Sequence, residues 1–119
     1  MPVRSARVVD SSVSVRGYRY GMLVLVEPAE AGPDQLLVLS RWIEAHCPER
    51  LGMIFVDFFT DLQAIRIHQK QLSDTTDAEA DFERALWAGG FKQNWWTRLS
   101  YFLYRWGCMT RPLSPCTRP

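Results

Sequence analysis

From residue 18 to residue 106 two hydrophobic periodicities alternate along the chain, and their order constrains the fold more than any other feature. Side chains leave a strand on alternate faces, so period-two alternation marks a strand. Apolar residues three and four apart mark a helix. Residues 18–27 read as a strand, built of β-favouring residues and ended by Pro28. Gly32-Pro33-Asp34 then opens a helix, because proline suits the first turn and an acid suits the positive end of the helix dipole. Leu36, Leu39, Ile43 and Cys47 give that helix one apolar stripe, and Pro48 stops it. Residues 51–59 form a second strand, with Ile54, Val56 and Phe58 on one side and Met53, Phe55, Asp57 and Phe59 on the other.

Beyond it, Thr60-Asp61 reads as a tight turn and residues 62–69 as a returning strand, since Ile65-Arg66-Ile67-His68 alternates. The competing reading is a helix capped by Thr60 or Asp61, with Leu62, Ile65 and Leu72 as its stripe. Thr76-x-x-Glu79 has the spacing of a capping box and opens the next helix. Ala78, Phe82, Ala85 and Leu86 form its apolar side, and Gly89-Gly90 is its C-terminal signal. Asp74, Asp77, Glu79, Asp81 and Glu83 complement its dipole and solvate an outer face.

Residues 94–106 fit both periods. As a helix, Trp95, Trp96, Leu99, Phe102, Leu103 and Trp106 share an arc; as a strand, Leu99, Tyr101 and Leu103 alternate with Ser100, Phe102 and Tyr104. The preceding order favours a closing strand within 98–106. The elements together predict an α+β, ferredoxin-like βαββαβ sandwich: a four-stranded antiparallel sheet with two helices on one face. Residues 1–17 form an N-terminal arm or extra edge strand, 18–106 a single α+β domain, and 107–119 a flexible tail containing prolines.

Composition narrows function mainly by exclusion. A hydrophobic fraction of 47% argues against a disordered chain. The net charge is +1, with basic ends on an acidic middle, so there is no domain-wide basic excess for nucleic acid. Arg16-Gly17-Tyr18-Arg19-Tyr20-Gly21 interleaves arginine with aromatics, but on the first strand, whereas RNA-stacking aromatics of such a sheet belong on the third. Cys47, Cys108 and Cys116 are odd in number and lack CxxC spacing, which indicates neither a disulfide framework nor zinc. The two histidines, His46 and His68, belong to different elements, and no nucleotide or cofactor motif is present, so no metal or cofactor is expected. Residues 1–10 lack the apolar core of a signal peptide, and the apolar run 22–26 is too short to span a bilayer; the expected location is the cytoplasm.

The sharpest constellation is Asp57 with His68. On a hairpin turning at Thr60-Asp61, Asp57 lies opposite Ala64 and diagonal to Arg66, with His68 one step further on the same face. A histidine oriented by an aspartate is a general-base arrangement, here for a ligand held by Phe55, Phe59 and Tyr101. The plainer reading is an Asp57–Arg66 cross-strand ion pair beside an exposed His68. The open face, with Phe55, Phe59, Tyr101 and Leu103, is too apolar to stay bare, and Trp95, Trp96 and Trp106 are anchors of the kind found at interfaces. The expected function is therefore that of a small non-enzymatic binding or accessory protein. It acts through protein contacts or an aromatic-lined pocket for a small apolar ligand, as a homodimer. A small enzyme using Asp57 and His68, and a weak single-strand nucleic-acid binder, are the alternatives.

Overall fold

The computed structural model describes residues 2–13, 19–46, 53–94, 99–104 and 111–112. It is an α+β fold with three α-helices on a mixed sheet. The elements run β1 Arg7–Val13, β2 Arg19–Leu25, α1 Pro33–His46, β3 Met53–Phe59, α2 Leu62–His68, α3 Asp77–Leu86, β4 Trp87–Asn94 and β5 Leu99–Tyr104. The two residues Arg111–Pro112 add β6. The strands lie side by side in chain order. Only β2 and β3 are parallel; the other neighbours are antiparallel. A parallel pair needs a crossover, and α1 supplies it.

This order differs from the predicted βαββαβ in both strand and helix count, and two local misreadings account for the difference. Residues 62–69 do not return as a strand. Asp61 caps a helix instead, its side chain accepting from the Gln63 N–H at 2.7 Å. Ala64, Ile65 and Ile67 are buried together, a grouping that a helix face provides and an alternating strand does not. Two helical turns are too short for the two periods to separate, so the Ile-Arg-Ile-His alternation fits either. The second misreading is Gly89-Gly90, which does not end α3. The helix stops at Leu86, and both glycines lie inside β4, between β3 and β5. A Cβ on Gly89 would stand 2.6 Å from the Leu103 carbonyl oxygen, so close backbone approach explains this glycine.

The main core lies between α1 and one sheet face, where Leu36, Leu39 and Ile43 meet Val24, Ile54, Val56, Phe58, Phe91 and Phe102. Within residues 94–106, Leu99–Tyr104 contribute a strand there, with Phe102 fully buried from β5. Polar groups that face this core are paired. Ser40 Oγ donates to the Leu36 carbonyl, and Glu44 of α1 accepts from Gln93 and Ser100 of the sheet.

On the opposite face a second, smaller cluster places Phe59, Ala64 and Ile65 against Leu23, Leu25, Leu86 and Trp87. Here α2 and α3 pack on each other and cover one end of the sheet. No residue of α3 is fully buried. Of its predicted apolar stripe Leu86 faces inward, but Ala78, Phe82 and Ala85 are exposed, and Glu79, Ala80 and Glu83 are partly covered in their place. The capping box forms as its spacing predicts, with Thr76 and Glu79 bonding each other's backbone N–H groups.

Candidate functional site

The end of the sheet left uncovered by α2 and α3 has a defined set of cross-strand rows. One row runs Gly21, Phe55, Lys92, Tyr101, and the next Leu23, Asp57, Gly90, Leu103. Residues directly opposite share a face, so Phe55, Asp57, Tyr101 and Leu103 stand on one side of the sheet. Each is partly exposed. Lys92 Nζ lies 5.7 Å from the centre of the Phe55 ring, within cation–π range.

Asp57 is the hub. Trp87 Nε1–H donates to its Oδ1 at 2.9 Å, and Oδ2 faces His68 Nε2 at 4.0 Å, beyond hydrogen-bond distance. A β-bulge sets up the first contact. Phe58 pairs with Gly89 but Phe59 pairs with Trp87, so Ala88 is the extra residue and turns into the main core. The shift aims Trp87 at the Asp57 face, and Gly90 leaves the room it needs. A Cβ on Gly90 would meet Trp87 Cζ2 at 3.2 Å and Asp57 Oδ1 at 3.4 Å.

His68 comes from the C-terminal end of α2, where its ring packs 5.4 Å from that of Phe59. Its Nδ1 is 2.9 Å from Glu83 Oε2 on α3. A carboxylate can only accept, so Nδ1 carries a proton there, and in the neutral ring Nε2 is an acceptor turned toward Asp57. The His68 and Asp57 side chains are 38% and 35% exposed, and Glu83 is 28% exposed, so solvent reaches all three.

Glu79 pairs with Lys70, just beyond the C-terminal end of α2. That contact, with the Thr76 backbone bond, holds the Glu79 carboxyl below the usual carboxylate range. At the other end of the chain, the Ser5 hydrogen bond likewise lowers Glu30.

Depressions meet at this hub from both sides. One of about 460 Å3 lies toward β1 and β2, where Asp10, Ser11 and Ser12 join Phe55, Asp57 and His68. Another of about 470 Å3 lies toward α3, between Asp57, His68, Lys70, Glu83 and Trp87. Both have the size of small-molecule clefts.

Asp57 and His68 thus meet, but by a helix packing on the sheet and not across a hairpin. Arg66 is elsewhere: it stands exposed on α2, and Asp57 bonds Trp87 in its place. Phe59 is fully buried beneath α2 and does not line the open face. Trp95, Trp96 and Trp106 lie outside the described residues, as do Cys47, Cys108, Cys116, Arg16-Gly17-Tyr18 and all of 107–119 except Arg111–Pro112. Glu83 and Trp87 were missed by the sequence reading. Glu83 carried a signal, since Glu79, Ala80, Glu83 and Leu86 recur at helical spacing. An inward face containing two acids points to basic or imidazole partners.

Among the described residues no group of three or more histidine, cysteine or acidic side chains could hold a metal ion, and no helix is long and apolar enough to cross a membrane. No family model, curated protein or solved structure matches the chain.

Proposed function

We propose that this chain is a small binding protein that holds a polar ligand in the cleft around Asp57. The observation that carries the reading is the state of that carboxylate. One oxygen is fixed by Trp87, while among the described residues the other has no hydrogen-bond partner, and Asp57 lines two depressions. A carboxylate so oriented costs little to reorganise on binding, and charge-assisted bonds are the strong ones. The test is a fragment mixture titrated into 15N-labelled protein, with the Trp87 indole N–H and the Asp57 and His68 amides as reporters. Saturable shifts that Asp57→Asn removes support the reading; a mixture that leaves those signals unmoved removes it.

Two further readings rest on particular observations. Phe55, Tyr101 and Leu103 are partly exposed together on the uncovered part of the sheet, which supports a homodimer closing over them. Light scattering that finds a monomer, or a dimer indifferent to Leu103→Glu, rejects that interface. An acid–base enzyme is supported by Glu83, which gives His68 the orienting partner such catalysis needs. Coincident His68 titration curves for the wild type, Asp57→Asn and Glu83→Gln would leave the enzyme reading without a coupled pair.

A further inference from the structure

We infer that the depression toward β1 and β2 selects a ligand with a primary ammonium group, seated between Asp57 and His68 with its apolar body against Phe55. The inference rests on the Asp57 cleft being the binding site and names the chemistry it takes.

Three observations lead to it. First, two acceptors face each other across the cleft mouth. When the His68 ring is neutral, Glu83 keeps its proton on Nδ1, and Nε2 then presents a lone pair toward Asp57 Oδ2 at 4.0 Å. Two acceptors at that separation are relieved by a group with several donors, and an ammonium offers three. Second, charge separates an ammonium from a hydroxyl. Among the described residues this depression is lined by Asp10 and Asp57 but by no lysine or arginine. In the neighbouring depressions Lys70 pairs with Glu79, Arg84 pairs with Asp81, and Lys92 lies over the Phe55 ring. Asp10 is itself positioned, accepting from Gln69 Nε2 at 3.0 Å. Third, the apolar wall suits a cation. Phe55 already carries the Lys92 ammonium at 5.7 Å, and Lys92 lines the neighbouring depression and not this one. Gly21, in the same row as Phe55, leaves the floor open beside the ring. At about 460 Å3 the space accommodates an amine with one ring.

The test compares 2-phenylethylamine with 2-phenylethanol, which share a body and differ in the terminal group. Both are titrated against 15N-labelled protein at pH 8, with the Trp87 indole and the His68 ring signals as readout. The expected result is saturable shifts from the amine and none from the alcohol at equal concentration, with amine affinity falling roughly tenfold or more in Asp57→Asn. Asp10→Asn, at an exposed position where folding is not at stake, should weaken the amine severalfold. Equal binding of the alcohol, no binding of the amine, or amine affinity unchanged in both variants overturns the inference. The cleft reading fails separately, only when the broader fragment mixture also leaves these signals unmoved.

Discussion

Replacing Gly89 with alanine tests whether this glycine belongs inside a sheet or at a helix end. In the structure its added Cβ would sit 2.6 Å from the Leu103 carbonyl oxygen and 3.4 Å from Leu36 Cδ1. The first neighbour is backbone, held in the β4–β5 ladder, where Gly89 pairs with Tyr104 and Gly90 with Leu103. Reaching ordinary contact means opening that ladder by several tenths of an ångström. Losing one or two of its hydrogen bonds costs about 1–3 kcal/mol, and disturbing the packing beneath adds about 1 kcal/mol. The unfolded chain loses entropy on gaining the methyl group, which returns about 0.4–1 kcal/mol. The net expectation is a loss of about 2 kcal/mol. Urea unfolding followed by tryptophan fluorescence should then show the midpoint falling by roughly 1 M, for a typical slope of about 2 kcal/mol per M. Gly21→Ala is the control, since its Cβ meets only Ser12 Oγ at 3.5 Å, an ordinary contact. It should leave the midpoint unchanged or slightly raised. A Gly89→Ala protein as stable as Gly21→Ala would refute the placement of Gly89 within the sheet.

Three other outcomes follow from the same geometry. Gly90→Ala should push the Trp87 indole off Asp57, seen as an upfield move of the Trp87 Nε1–H resonance together with weakened ligand shifts at His68; an unmoved indole signal contradicts it. Thr76→Ala removes the cap of α3 and should cost about 1 kcal/mol in urea unfolding, with no loss expected if the capping box is idle. The depressed carboxyl of Glu79 gives a pH signature: its stabilisation is complete above its ordinary range near 4.5 and is lost as pH falls through the lower folded value. Wild type and Glu79→Gln should therefore differ in stability at pH 7 and converge as pH falls below that lowered folded value. A constant difference across that range would show that the Glu79 charge does not contribute.

What could be read from the chain depended on how many turns or pairs each signal spanned. Helix α1 runs 14 residues with a proline in its first turn, so its period is unambiguous, and Leu36, Leu39 and Ile43 of its apolar stripe are buried. The alternation of residues 51–59 places Ile54, Val56 and Phe58 against α1 and Phe55 and Asp57 on the other face, as β3 does. Helix α2 spans seven residues, too few to distinguish 3.6 from 2, and one cap decided it. The strand β4 was invisible for a different reason. Its Gly-Gly is punctuation when read locally, and only two neighbouring backbones give it another meaning.

The site divides along the same line. Asp57 as a lone carboxylate on an apolar strand was conspicuous in the sequence, and so was a histidine close behind it. Their partners were not. Glu83 lies 15 residues from His68 and Trp87 lies 30 from Asp57, joined by helix packing and a bulge that no local pattern encodes. By itself the sequence determined the α+β class, the positions of α1 and β3, the capping box of α3 and the face on which Asp57 stands. These follow from backbone preference and burial over one turn or one strand. The parallel pairing of β2 with β3, the insertion of β4 and the meeting of Asp57, His68, Glu83 and Trp87 were decided by tertiary structure. Each depends on which surfaces find one another, and that free energy belongs to the packed whole.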